Sequence, residues 1–243
     1  MKITAASIVK DSEQFIGSMI SSISWVDRIV IYNDHSQDGS IEVAKKNAKT
    51  ELTIIDPLFP FSMFDKLKNG KRNLKNETIV RNAFLEILFY QFKPEALLLI
   101  DSDEIMSEAL KPVIENLDKS RFDSIALTCT HIFDKKSYLN VFPATWNNIK
   151  MVDPHVRILT RFQKYQKGEY QGVPDCFLKP TAKTLCLNGP YHYHLKYAPK
   201  KRQENLTFKF MEKQLNKNNT KKYLKSYRFQ FPKDLIPIIN GYL

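Results

Sequence analysis

Through roughly the first hundred residues, apolar positions alternate between compact runs and a helical 3.6-residue period, and each switch marks an element. Ile3 to Val9 reads as a strand. Asp11 or Ser12 can then cap a helix in which Phe15, Ile16, Met19, Ile20 and Ile23 recur at helical spacing. Arg28 to Tyr32 is a second strand, ended by the turn formers Asn33 to Ser40. Ser40 is placed to cap a helix with Ile41, Ala44 and Ala48 on one face and Lys45, Lys46 and Lys49 solvated near its C-terminus. Leu52 to Ile55 is a third strand. A loop from Asp56 to Gly70 leads to a long helix, about Asn76 to Phe92, with Ile79, Val80, Ala83, Phe84, Ile87 and Leu88 inward. The run Leu97-Leu98-Leu99-Ile100 then meets Asp101-Ser102-Asp103-Glu104. An uninterrupted apolar run of this kind suits a strand buried on both faces, with the carboxylates left at its C-terminal end.

Strands alternating with helices predict an α/β fold, a mostly parallel sheet with right-handed crossovers and helices on both faces. The loops after strands one, two and four then share one edge. An order of three-two-one-four reverses the direction of sheet growth between strands one and four, where open α/β sheets bind ligands. From Glu108 the pattern loosens. It predicts a helix over 108–117, a strand over Ser124–Thr130, short antiparallel strands and loops over 131–197, a basic helical stretch over 199–226 and an apolar end over 227–243. Residues 1–130 therefore form one half and 131–243 a smaller mixed half of one compact unit.

At 243 residues the chain can bury one sizeable core, and its 43% hydrophobic and 26% charged residues are those of a soluble globular protein. No apolar run is long enough to span a bilayer. Cys129, Cys176 and Cys186 are odd in number and lack Cys-x-x-Cys spacing, which predicts reduced thiols and a cytoplasmic setting. The net charge of +11 admits nucleic acid, anionic membrane or anionic small molecules as partners. The basic clusters Lys200-Lys201-Arg202, Lys221-Lys222 and Lys225 fall late, away from the acidic motif. Neither a Gly-x-Gly-x-x-Gly nor a Walker loop is present, so backbone cradling of phosphate is not the expected device. Asp101 and Asp103 repel each other unless a counter-charge lies between them. Mg²⁺ and Mn²⁺ accept such oxygen ligands and bridge carboxylates to phosphates. The plainer alternative is a solvated turn in which Asp103 caps the next helix.

Residues 3–106 resemble the catalytic domain of family 2 glycosyltransferases, which have the GT-A fold. Asn33-Asp34-His35-Ser36-Gln37-Asp38-Gly39-Ser40 resembles the family's Asp-Asp-Gly-Ser-Thr-Asp-Gly-Thr turn, with Asn33 in place of the first aspartate and His35 in place of a glycine. Val80-Arg81-Asn82 resembles its Ala-Arg-Asn, and Leu98 to Glu104 its Asp-x-Asp strand. The first strand ends Ile8-Val9-Lys10-Asp11 where many members have Pro-Thr-Tyr-Asn. More faintly, His155 to Leu159 and Tyr170-Gln171-Gly172-Val173-Pro174-Asp175 are similar to an Arg-Leu-Phe-Arg segment followed by Gly-x-Val-His-Glu, and Tyr191-His192-Tyr193-His194 to a late His-Tyr element.

The resemblance implies transfer of a sugar from a nucleotide-diphosphate sugar, UDP-linked by preference, to a hydroxyl on a saccharide or glycolipid, with inversion and with Mn²⁺ or Mg²⁺. Asp34 would contact the base, Asp101 the ribose or metal, and Asp103 the metal. Arg81 would contact nucleotide or phosphates, and Ser7, Val9, Lys10 and Ser102 would line the nucleotide site. His192 or His194 would complete the metal shell. Asp175 is the first choice for general base, with Asp153 and Glu169 as rivals. The plainer alternatives are an ion pair of Arg81 with Glu77 at i−4 and an Asx-turn at Asp34. Rival functions are a basic nucleic-acid-binding protein and a sugar-nucleotidyltransferase; on the preferred reading no nucleic acid is expected. A structural zinc through Cys176, Cys186, His192 and His194 does not fit finger or ribbon spacings. Residues 221–243 mix lysines, aromatics and aliphatics, so peripheral contact with an anionic inner membrane face is weighed against packing on the domain.

Overall fold

The computed structural model describes residues 1–132, 137–139, 143–170, 173–195, 224–226 and 233–238. The first half contains β1 (Ile3–Val9), α1 (Glu13–Ser22), β2 (Arg28–Asn33), α2 (Ser40–Asn47), β3 (Glu51–Ile55), α3 (Leu74–Ile87), a π-helical turn (Leu88–Phe92) and β4 (Ala96–Leu99). There follow β5 (Glu104–Met106), a 3-10 turn (Glu108–Leu110), α4 (Lys111–Glu115), β6 (Ser124–Ile132), β7 (Ser137–Leu139), β8 (Pro143–Trp146), β9 (Ile149–Val152) and β10 (Pro154–Leu159). The last elements are β11 (Gln166–Tyr170), β12 (Val173–Phe177), β13 (Thr184–His194) and β14 (Leu224–Ser226).

The main sheet runs β14-β7-β6-β10-β4-β1-β2-β3, with β13 beside β6 and β5 beside β13. Strands β3, β2, β1 and β4 are parallel, in the order three-two-one-four that the alternation predicts. Alternate residues of β1 explain why its burial is complete. Ile3, Ala5 and Val9 face α1, α2 and α4, while Ala6 and Ile8 face α3. Each strand residue is thus covered from one side or the other, as the uninterrupted apolar runs require. On α1, all five residues picked out by spacing are at most 3% exposed. At about 25 cal/mol per Å² of apolar surface removed from water, such burial is the main stabilising term.

The second half turns antiparallel. Strand β10 lies between β4 and β6 and runs against both. Strand β13 then runs parallel to β6 and antiparallel to β5. Residue 130, the boundary drawn between halves from the sequence, falls inside β6, so one sheet carries both. Hairpins β8–β9 and β11–β12 form two small separate sheets.

Several local expectations are corrected. Ser40 lies inside α2 rather than capping it; Asp38 accepts from Ser40 N at 3.0 Å and from Glu13 N at 3.0 Å, so one carboxylate serves two helix starts. Ile79 is 37% exposed, and the inward face of α3 is completed by Leu85. The helix over 108–117 is a 3-10 turn followed by the short α4. Of the basic stretch expected to be helical, 224–226 is a strand paired with β7, and 199–223 lies outside the described residues. Of the 221–243 stretch, 233–238 packs on the domain through the fully buried Leu235, and Asp234 accepts from Glu108 N at 2.8 Å. Among the described residues no helix is long and apolar enough to cross a membrane.

Candidate active site

The carboxyl edge of the parallel strands gathers the loops after β1, β2 and β4. Ser12 Oγ and Ser102 Oγ meet at 2.7 Å, tying the first loop to the acidic turn. A cavity of about 370 Å³ lies there, with Lys10, Ser12, Arg81, Asp101, Asp103 and His194 on its walls. Asp34 follows β2 and is fully buried. Its Oδ2 accepts from Ser62 Oγ at 2.6 Å and Met63 N at 2.9 Å, so the loop before α3 covers it, while Oδ1 has no hydrogen-bond partner among the described residues. Ser7 Oγ is likewise buried without a hydrogen-bond partner among the described residues. The Val9 carbonyl accepts from Asp34 N at 2.8 Å. His35 takes φ +61°, the left-handed region in which glycine is at ease, where the resembled turn has glycine.

The acidic turn closes on itself. Asp101 N donates to Glu104 Oε2 at 2.9 Å, and Glu104 N donates to the Asp101 carbonyl at 3.0 Å. The Asp101 and Asp103 side chains stay 40% and 20% exposed, whereas Glu104 points inward at 3%. Arg157 comes from β10, whose register shifts between Val156 and Ile158; such a bulge re-aims the side chain within it. Its guanidinium pairs with Glu104 and reaches Asp101 Oδ2 at 3.0 Å. Burial pushes Glu104 up, and Arg157 and His192 outweigh it, holding the carboxyl well below the usual range.

Arg81 satisfies both readings of its sequence context. Its Nε bonds Glu77 Oε1 at 3.1 Å, the plain i−4 ion pair, and its NH1 stands 3.8 Å from Asp101 Oδ1. Its guanidinium also lies over the Tyr165 ring, 5.0 Å from the centroid. A second cavity of about 240 Å³ shares Arg81 and Asp101 with the first and adds Arg72, His155, Arg157 and Asp175. Asp175 bonds Arg72 NH1 at 2.9 Å. Of its rivals, Asp153 is only 6% exposed and lies behind His155, 3.3 Å from its Nε2; Glu169 is exposed on β11 and does not line the cavity.

The two late histidines part company. His194 Nε2 stands 3.2 Å from Asp103 Oδ1, beside the first cavity. His192 is fully buried and turned to Glu104, its Nε2 3.0 Å from Oε1 but off the angle of a hydrogen bond. Burial pushes its imidazole down to about 4 against the pull of Glu104. Sequence reasoning missed Glu104, Arg157, His155, Cys129 and His131. The available signal was Cys129-Thr130-His131 beside His192-Tyr193-His194, since residues two apart on a strand share a face. Cys176 lies on β12 and Cys186 at the far end of β13, opposite Ala126, so the cysteine among the histidines is Cys129.

No family model and no curated protein matches the chain. Among solved structures, it is similar to glucosyl-3-phosphoglycerate synthase from Mycobacterium tuberculosis bound to phosphoglyceric acid, at 18% identity over 54% of this chain and 44% of that one, with a TM-score of 0.36. A structure of the same synthase with Mn²⁺, UDP-glucose and phosphoglyceric acid is similar at 17%, over 53% and 43%, with a TM-score of 0.35. Galactosyltransferase LgtC with donor and acceptor sugar analogs is similar at 14%, over 51% and 46%, with a TM-score of 0.35. The match thus spans less than half the length of each of these proteins.

Proposed function

We propose that the protein is a metal-dependent, inverting glycosyltransferase of the family 2 type. On this reading it moves a sugar from a nucleotide-diphosphate sugar, UDP-linked by preference, to a hydroxyl of a saccharide or glycolipid. The supporting observation is one juxtaposition. Asp34 and the Asp101/Asp103 pair end β2 and β4 on either side of β1, where the strand order reverses, and the pair opens on a cavity that also holds Lys10 and Arg81.

The donor set fits a hard divalent cation. Asp101 and Asp103 are carboxylates, partly exposed and on the cavity wall. They would hold Mn²⁺ or Mg²⁺, which when bound would offset charge developing on the leaving diphosphate. Arg157 fixes Asp101, and His194 fixes Asp103. Arg81 offers a permanent charge toward phosphate, and Lys10 a second one. Ser102 lines the cavity, and Ser7, Val9 and Asp34 lie buried at the same strand edge, where Asp34 Oδ1 would accept from a base N–H. His192, behind Glu104, supports the acidic turn. Asp175, across the second cavity, takes the proton of the acceptor hydroxyl.

Titration with UDP-, GDP- and dTDP-sugars, with and without Mn²⁺, tests this in wild type and in Asp103→Asn. One donor is expected to raise Tm and give a calorimetric signal only with Mn²⁺, and that dependence should vanish in the variant. Identical metal dependence in both proteins would remove the metal assignment. Salt-dependent binding of generic DNA or RNA with no response to any donor would instead favour the nucleic-acid reading.

A further inference from the structure

Beyond the proposed transferase site, the mixed half of the sheet holds a second set of donors. Strand β6 presents Cys129 and His131, and the adjacent β13 presents His192 and His194. The register pairs His192 with Cys129 and His194 with His131, so the four side chains form a two-by-two array on one face. Ligand-capable atoms of Cys129, His131 and His194 all lie within 4.8 Å of one another. Those of Glu104, Cys129 and His192 do the same on the next rung.

One hydrogen bond and one ion-pair contact orient the two rings. His131 Nε2 is 2.7 Å from Asp153 Oδ2, and His194 Nε2 is 3.2 Å from Asp103 Oδ1. A carboxylate only accepts, so His131 Nε2 carries the proton, and the Asp103 carboxylate favours the same tautomer of His194. A neutral imidazole has one N–H, which leaves both Nδ1 atoms as lone pairs, and these stand 3.0 Å apart. Two lone pairs at that distance repel unless a proton or a cation lies between them. A shared proton would serve the two nitrogens but would leave unexplained the convergence of Cys129.

The outer contacts point the same way. A metal-bound histidine characteristically donates its other N–H to a carboxylate, as His131 does to Asp153, and His194 Nε2 faces the Asp103 carboxylate in the same sense. Asp153 is buried, and its ion pairs among the described residues are with His131 and His155, not with a lysine or arginine. Charge placed on the far side of His131 would offset it.

We propose that Cys129, His131 and His194 form a three-ligand site for a zinc-class cation. Sulfur and imidazole nitrogen suit Zn²⁺, whereas the oxygen set of Asp101 and Asp103 suits Mn²⁺ or Mg²⁺. The ligands come from two adjacent strands, so a bound cation ties β6 to β13 and, through His194 beside the first cavity, orients Asp103. Binding releases the Cys129 proton, since the thiolate is the ligand.

The test uses the full chain, stripped with chelator and dialysed against Zn²⁺ or Co²⁺, followed by metal analysis and absorption spectroscopy. About one equivalent of zinc should be retained. The Co²⁺ form should show thiolate-to-cobalt charge transfer that persists in Cys176→Ala/Cys186→Ala and disappears in Cys129→Ser. Asp153→Asn should weaken zinc binding by about 10–100-fold, as loss of an outer partner does. Asp103→Asn should abolish Mn²⁺-dependent donor binding yet, at saturating Zn²⁺, still take up about one equivalent of zinc with the affinity loss of an outer partner, which separates failure of this site from failure of the transferase reading. No retained zinc, or a charge-transfer band lost in the Cys176/Cys186 variant, overturns the proposal. If Cys129→Ser does not fold, the wild-type and Cys176/Cys186 spectra decide the matter alone.

Discussion

The two halves of the main sheet treat polar groups in opposite ways. Within β1 to β4 no buried position carries a carboxylate, imidazole or guanidinium; Asp34 and Asp101 begin where the strands end. Across β5, β6, β10 and β13, and at Asp153 just before β10, the interior itself is ionisable, with Glu104, His131, Asp153, Arg157 and His192 all buried. The parallel strands are held by area, which is non-directional and tolerant. The second half is held by matched pairs, where removing one partner strands the other. A sheet edge that must aim two carboxylates therefore leans on a rigid polar interior, while the apolar half supplies only the platform.

The largest expected effect is on turnover. Asp175→Asn should leave donor affinity nearly intact and cut turnover by about 10²–10⁴-fold if the carboxylate takes the acceptor proton. Full activity would move that role to His155, which lines the same cavity with Asp153 behind it. Stability separates the halves next. Arg157→Met should cost about 3–5 kcal/mol by urea titration, because Glu104 is left buried without its guanidinium partner. Adding Glu104→Gln should recover much of that loss; a purely additive double variant would mean the pair is not coupled. By contrast, Leu98→Ala in the apolar half should cost about 2–5 kcal/mol with no partner able to rescue it.

The smallest effect lies at the shared helix start. Burial pushes Asp38 up, but hydrogen bonds from Ser40 and from Glu13 N–H outweigh it and hold its pKa below the ordinary 3.8. Because the unfolded value is the higher one, this stability is fully present above about pH 4 and is lost as pH falls through the folded value. Asp38→Ala should cost about 1 kcal/mol at neutral pH, with the gap to wild type closing in acid. A gap that stays constant down to the lowest pH would show that the carboxylate charge contributes nothing.

The sequence by itself determined the parallel platform. Residues 3–100 carry period and punctuation strong enough to order four strands and place three loops on one edge, because each strand's burial is satisfied by helices adjacent in the chain. It also determined that Asp101 and Asp103 end a buried strand. Only the tertiary structure decided which groups meet them. Glu104 and Arg157 are 53 residues apart, and His131 and His194 are 63 apart. Periodicity cannot report such pairs, since a buried charge is placed by its partner rather than by its neighbours in sequence. The bulge that aims Arg157, the turning of His192 to Glu104 and of His194 to Asp103, and the arrival of Cys129 among the histidines all depend on strand register. Register in this half is fixed by contacts between strands far apart in the chain, so it becomes defined only when the whole sheet has formed.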